Sequence, residues 1–390
     1  MQNHLLLILF VCLSLLNCSK SGKSSLSTSS GGNTTTSVPP EEPTPTPLPT
    51  PLPPISQPVA MAALPLLQGP VQLIVTPNAK GHVEFLQSIN RTISGDIIRM
   101  TMFHLTHSDI INALVAAQKR GVTVKVILDN ASLILPNFKY GFDQLKAGGV
   151  DVRASSSAFT ISHSKSIIIN NSEVFITAIN LTKLEDVTRD FGLILHDAAV
   201  VSEVINVFEQ DWQNTSSQQG LTSSVSELHL VWSPVNSLTK IISVISAAKK
   251  SIVIQVENLG EVQIQSALIA AVKRGVAVRV ILPMCSKGGS AKLNYPYLKE
   301  LSTNGVQTKV MPTPESPEKP YLHSKMMVAD AVVAYIGSVN FSRNSTSRAR
   351  ELGILFSEPA PIKHMLNIFE VDWNSGISVP DENNVSCSLI

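Results

Sequence analysis

Apolar and polar positions divide this 390-residue chain into three regimes. Leu5 to Leu16 form an apolar run of twelve residues, closed by Asn17 and Cys18. That length is short for a bilayer span and suits the core of a signal peptide. From Ser19 to about Ala63 Ser, Thr and Gly dominate, then Pro, as in Pro-Thr-Pro-Thr-Pro-Leu-Pro-Thr-Pro. Such a stretch has little to bury and reads as a tether, extended by about 3 Å per residue where Pro is dense. Beyond it, helical and strand periodicities alternate as far as residue 378. The spacing predicts helices over 83–92, 110–120, 139–147, 238–249, 264–274 and 295–302. Strands are predicted over 96–103, 251–256 and the apolar runs that follow each later helix.

The pattern repeats. Ala-Leu-Val-Ala-Ala-Gln-Lys-Arg-Gly-Val-Thr-Val-Lys-Val-Ile-Leu, ending at Leu128, returns as Ala-Leu-Ile-Ala-Ala-Val-Lys-Arg-Gly-Val-Ala-Val-Arg-Val-Ile-Leu, ending at Leu282. The offset is 154 throughout (270 − 116 and 275 − 121). Each copy is an amphipathic helix closed by Lys-Arg-Gly, then a strand, so Lys119, Arg120, Lys273 and Arg274 read as cationic helix caps. Both copies finish alike, at Phe208-Glu-Gln-Asp-Trp212 and Phe369-Glu-Val-Asp-Trp373, where the Trp residues read as packing anchors. The expected class is α/β. It comprises two repeated α/β/α units, each a mostly parallel mixed sheet flanked by helices, related by a pseudo-twofold axis. The division is a signal peptide 1–18, a linker 19–66, halves 67–222 and 223–378, and a tail 379–390.

Within each half lies a hairpin pattern carrying unusual polar residues. Ser162-His163-Ser164-Lys165 enters the apolar run Ser166–Ile169, reaches Asn170, and returns through Thr177 and Ala178 to Asn180. Leu322-His323-Ser324-Lys325 enters Met326–Ala329, reaches Asp330, and returns through Gly337 and Ser338 to Asn340. The His-to-Asn interval is the same in both (180 − 163 = 17; 340 − 323 = 17). With turns at 170–173 and 330–333, His163 faces Asn180, Lys165 faces Ala178, His323 faces Asn340 and Lys325 faces Ser338. His and Lys two apart share a strand face, so each hairpin gathers an imidazole, an ammonium and a carboxamide on one surface. Those groups suit a phosphate: a point charge, a neutral donor, and a nucleophile or proton donor.

His-x-Lys-x4-Asp followed by Gly-Ser-x-Asn, present twice, resembles the phospholipase D superfamily over roughly residues 68 to 376. The second copy matches in full as His323, Lys325, Asp330, Ser338 and Asn340; the first has Asn170 for Asp and Thr177-Ala178 for Gly-Ser. Asn170 and Asp330 are expected to support the motif, through an Asx-turn bond that either side chain can make. The resemblance implies one shared site between the halves and no cofactor or metal ion. In it one His attacks phosphorus while the other protonates the leaving oxygen, with His163 as nucleophile and His323 as acid by family usage. Lys165, Lys325, Asn180, Asn340 and Ser338 would hold the phosphoryl oxygens. Asp190 and Glu351, which follow the two His residues by 27 and 28 positions, match the acid that steadies the catalytic His.

Leu15-Leu16-Asn17-Cys18 is similar to a bacterial lipobox, so Cys18 is a candidate lipidation site and the chain is expected to be exported, as a monomer, to the cell envelope. A Cys285–Cys387 disulfide fits that compartment but has no spacing rule behind it. Net charge is +1, so no global basic field advertises nucleic acid. Substrate is expected to be a phospholipid head-group ester. A nuclease would need a local basic groove, which Lys287, Lys292, Lys319, Arg343, Arg348 and Arg350 could line. A non-catalytic phosphate- or lipid-binding module is the third reading. His104, His107, His196 and His364 belong to no comparable constellation.

Overall fold

The computed structural model describes residues 64–78, 82–183, 187–215, 217–220, 225–285, 294–381, 385 and 387. Cys18, the linker, Lys287 and Lys292 therefore lie outside the described residues. The first half runs β1 (Val71–Thr76), α1 (Val83–Asn90), β2 (Ile97–Met102), α2 (Ser108–Lys119), β3 (Thr123–Leu128), α3 (Pro136–Ala147), β4 (Asp151–Ala154), β5 (Ser166–Ile169), β6 (Glu173–Thr177), β7 (Thr188–Leu195) and α4 (Ala198–Asn214). The second runs β8 (Leu230–Ser233), α5 (Ser237–Ala247), β9 (Ser251–Val256), α6 (Val262–Lys273), β10 (Ala277–Pro283), α7 (Tyr295–Thr303), β11 (Gln307–Met311), β12 (Tyr321–Leu322), β13 (Lys325–Ala329), β14 (Val333–Gly337), α8 (Arg343–Ser347), β15 (Glu351–Phe356), α9 (Pro359–Ser375) and β16 (Ile377–Ser378).

Each half forms one mixed sheet, in the order β1-β7-β6-β5-β2-β3-β4 and β16-β11-β10-β9-β13-β14-β15-β8. Parallel pairing joins β2-β3-β4, β9-β10-β11 and, from the second half, β12 to β7; the hairpin and the strand after it extend each sheet antiparallel. Antiparallel pairing thus takes a larger share than the alternation of strands and helices suggests. Most strand positions are buried on both faces, as expected of a sheet covered on both sides. In β13, Met326 and Val328 join the central core between the two sheets, where α4 and α9 pack, whereas Met327 and Ala329 face the outer core under α5, α6 and α7. The corresponding outer core of the first half lies under α1, α2 and α3.

Several local expectations are revised. Arg120 and Arg274 do cap carbonyls, but those at the end of the preceding helix. Arg120 donates to Ile89 O at 3.1 Å, and Arg274 to Ile245 O at 3.0 Å. Gly121 and Gly275, with φ of 90° and 88°, reverse the chain just after each Arg, a geometry that favours glycine. Cys285 and Cys387 form a disulfide that spans 102 residues of chain.

The hairpins sit one residue out of the expected register. Ile169 pairs with Glu173 and Ala329 with Val333, so the loops hold three residues and partners sum to 342 and 662. An odd loop is reached because Asn170, Asp330 and Ala331 adopt φ near +55°. Neither Asx side chain serves its own turn. Asp330 accepts three backbone amides at the start of β9, from Lys249, Lys250 and Ser251, at 2.7–2.9 Å. Asn170 Oδ1 accepts from Ile97 N at 3.0 Å, and its Nδ2 donates to Asp96 Oδ1 at 3.1 Å. Asp96 corresponds to Lys250 in the other half (250 − 96 = 154), so the first half has exchanged acid and partner together. Asn170→Asp therefore sets two carboxylates in contact and should cost about 1–2 kcal/mol at pH 7, with Asp96→Asn restoring most of it in the double variant. Urea unfolding of the two single variants and the double variant measures this; an unchanged N170D would refute the cross-strand account.

Candidate active site

The two halves meet through crossed chain segments. The stretch entering the first hairpin pairs with the start of β15, with His163 N and Ser164 N donating to Arg350 O at 2.8 and 3.0 Å. Reciprocally, β12, which leads into the second hairpin, pairs in parallel with Thr188 and Arg189 of β7. These contacts bring the imidazoles of His163 and His323 together with ring centroids 6.4 Å apart.

Each imidazole is held by a carboxylate from the other half. His163 Nδ1 donates to Glu351 Oε2 at 2.8 Å, and His323 Nδ1 to both oxygens of Asp190 at 2.9–3.0 Å. A carboxylate at Nδ1 fixes the proton there and leaves Nε2 for chemistry. The neighbouring arginines do not bond these acids. Arg189 grips Asp372 of α9 with two nitrogens, at 2.8 and 3.1 Å, and Arg350 reaches Asp211 of α4 at 2.8 Å. The Phe-Glu-x-Asp-Trp signatures thus contribute their Asp to the opposite half, in addition to Trp212, which is buried. Arg350 is buried as well and cannot line a basic groove; Lys319, Arg343 and Arg348 are exposed.

The lysines lie under the imidazoles with unequal surroundings. Lys165 is fully buried, donates to His163 O at 2.7 Å, and has its Nζ 5.0 Å from the centre of the Phe103 ring. Burial, and then the nearby Lys325, lower its pKa to about 7. Lys325 bonds His323 O and, at 3.0 Å, Glu257 Oε2. Burial would raise the Glu257 carboxyl, but the Lys325 and His323 charges outweigh it and hold the group low. Burial also lowers His163 to about 4, against the opposing pull of Glu351, so its imidazole is neutral at pH 7.

The remaining expected residues fall into two groups. Asn340 Oδ1 accepts from Asn258 N at 3.1 Å, while Asn180 Oδ1 is buried without a hydrogen-bond partner among the described residues. Ser338 points into the fold. Fully buried, its hydroxyl exchanges bonds with Leu352 at 3.1–3.2 Å and also bonds Glu351. Three contributors were not anticipated. Glu257 also accepts from Tyr321 Oη at 2.8 Å. Ser345 donates to Glu351 and accepts from Asn340 N at 2.8 Å. His104, set aside in the sequence, stacks on Phe103 and Phe138 at 3.8 and 3.6 Å, and burial with the charges of Lys165, His163 and His323 keeps it neutral. No sequence interval marks Glu257 or His104, because both lie in loops joined to the site only by the folded sheet. Among the described residues no group of three or more His, Cys, Asp or Glu is arranged to hold a metal ion.

The unequal lysines make opposite predictions. Lys165 is protonated in the unfolded chain up to pH 10.5 but in the folded one only up to about 7, so it destabilises the fold below that window. Lys165→Met should raise the unfolding midpoint at pH 7 by at least about 2 °C, and this gain should shrink as pH rises towards 10. Lys325→Met strands Glu257 and should cost about 3 kcal/mol. Thermal unfolding at pH 7 and 9.5 decides both; equal losses would remove the asymmetry.

A family model described as "Cardiolipin synthase, PLD-like domain" matches residues 85–212 and 241–373. The chain is 24% identical over 326 residues to Phospholipase D Z of Dictyostelium discoideum, covering 70% of this chain and 76% of that one. It is 26% identical over 235 residues to the probable cardiolipin synthase YwiE of Bacillus subtilis strain 168, covering 54% of this chain and 45% of that protein. Phosphatidylserine synthase of Haemophilus influenzae Rd KW20 superposes with a TM-score of 0.59 at 13% identity, over 80% of this chain and 87% of that one, a likeness of fold. The family match falls once in each half and together spans most of the chain. The chain belongs to the phospholipase D-like domain family that this model describes.

Proposed function

We propose that the protein is a metal-independent phosphodiesterase of phospholipase D type, which hydrolyses or exchanges phospholipid head groups through a phosphohistidine. The observation that carries this reading is the facing pair of imidazoles, each with Nδ1 on a carboxylate and a buried lysine beneath it. In the first step the Nε2 lone pair of one His attacks phosphorus, and the bond to the alcohol oxygen breaks as the other His donates its Nε2 proton to it. In the second, that His takes a proton from water or an acceptor alcohol, whose oxygen displaces the first His. Neutral His163 suits the attacking role and His323 the acid. The lysines neutralise phosphoryl oxygens in place of a metal ion.

Phospholipid is favoured over nucleic acid by the near-zero net charge, the burial of Arg350 and the carboxylate of Glu257 beside the site. Each lowers the positive field a polyanion needs. We further propose export to the cell envelope. The Cys285–Cys387 disulfide supports it, since such bonds persist in oxidising compartments.

The deciding experiment offers phosphatidylglycerol vesicles, double-stranded DNA and RNA to the purified protein in EDTA. Head-group release is expected without added metal, and His163→Ala and His323→Ala should each reduce it at least about a thousandfold while remaining folded. Cleavage of nucleic acid with vesicles untouched would replace the phospholipid reading by a nuclease. Activity abolished by EDTA and restored by one divalent ion would end the metal-independent one.

Anchoring is tested at Cys18. Mass spectrometry of the mature N-terminus should find a lipidated Cys18, and Cys18→Ser should move the protein to the soluble fraction. An unmodified terminus elsewhere would make it freely secreted.

A further inference from the structure

One position breaks the near-symmetry of the two half-sites. Phe103 follows β2 as Glu257 follows β9, at the same offset of 154 that relates the repeated helices. The backbone equivalence is direct: Leu105 bridges Leu181 as Leu259 bridges Phe341, two residues beyond each position. Phe103 sets its ring edge-on to His163, with centroids 4.6 Å apart, and its face toward Lys165. Glu257 instead places a carboxylate oxygen 3.0 Å from Lys325 Nζ and 3.7 Å from His323 Nε2. One half-site therefore meets an aromatic hydrocarbon where the other meets a negative charge.

We propose that Glu257 is a positioning residue that makes the His323 half-site the acid side, while Phe103 keeps the His163 side dry and uncharged. This rests on the phosphodiesterase reading above. His323 then has two anions: Asp190 at Nδ1, which orients the ring, and Glu257 on the Nε2 side, where the proton must reside before transfer. Among the described residues Asp190 and Glu257 are the carboxylates paired with His323, and Lys325, the His163 ring and His104 also lie near it. Glu257 is held by three groups, Tyr321 Oη on one oxygen and Lys325 and His323 on the other, so its carboxylate is fixed. Around His163 the groups are Glu351 at Nδ1, then Lys165, Lys325, His104 and the His323 ring, and among the described residues Glu351 is the carboxylate paired with it. Its Nε2 thus keeps a lone pair. In the first step that lone pair forms the N–P bond, and the proton on His323 Nε2 passes to the departing alcohol oxygen. In the second it is replaced by one from the incoming water or alcohol.

Glu257→Gln retains the shape and an oxygen for Lys325, with its amide nitrogen able to donate to Tyr321 Oη, but removes the charge. The alkaline limb of kcat/KM, which reports loss of the acid's proton, should move down by at least about one pH unit. Turnover of phosphatidylglycerol, whose alcohol needs that proton, should fall about tenfold or more at pH 7.5. The p-nitrophenol burst from a phosphatidyl-p-nitrophenol ester, whose leaving group needs none, should change less than about threefold. Glu257→Asp, which keeps the charge, should hold the limb within about 0.3 unit. Equal losses on both esters, or an unmoved limb, would reduce Glu257 to a structural role and overturn the proposal. NMR titration of the His323 ring in the parent and in E257Q, where the midpoint should fall by about one unit, reads the same electrostatics without turnover. A parent inactive on both esters that still shows this fall would refute the phosphodiesterase reading alone; no fall would refute the role of Glu257 alone.

Discussion

Two imidazole–carboxylate bonds, His163–Glu351 and His323–Asp190, and two ion pairs, Arg189–Asp372 and Arg350–Asp211, cross between the halves. Every one joins a residue of the first half to one of the second, and each type occurs twice in reciprocal form, as a twofold relation requires. Losing one partner of a buried ion pair such as Arg189–Asp372 costs about 3–5 kcal/mol, because the survivor stays desolvated. The halves are therefore committed to one relative placement, and the site is completed by the interface. Neither half alone holds a histidine with its supporting carboxylate.

The apolar framework makes that placement affordable. Strands buried on both faces supply three cores, and the central one is shared by both sheets with α4 and α9. The same two helices deliver Asp211 and Asp372, so the hydrophobic packing that joins the halves and the ion pairs that register them come from the same elements. The lysines are the exception to this mutual support. Lys165 is buried in the first half beside an aromatic ring, a cost in stability that a bound phosphate would offset.

Repetition and asymmetry answer different needs. In the proposed reaction two equal half-sites would give a phosphorus atom an imidazole on each side, and in-line displacement would need one unprotonated and one protonated. A duplicated fold reaches that distinction by changing few positions, and here the differing pair 103 and 257 sits directly on the two imidazoles. The exchange of Asn170 with Asp96 against Asp330 with Lys250 lies at the far end of the hairpins. There it preserves the tie to the neighbouring strand.

By itself the sequence determined the repeat, the order of strands and helices, the two hairpins and the residue types of the site, because these rest on local periodicity and on spacing within one half. It did not determine the register of the hairpins, since a three-residue loop depends on positive φ at Asn170, Asp330 and Ala331, which residue type alone does not announce. Nor did it determine partners. Asp190 and Glu351 were legible as acids at the right interval, yet which imidazole each holds is set by strands that cross between halves. Ser338 matched a motif but turned into the β14–β15 pairing, while Glu257 and His104, outside any motif, came to the site from the loops after β9 and β2. Spacing along a chain constrains neighbours on one strand face; contacts between sheets follow from how the buried faces close on each other, and only the tertiary structure decided them.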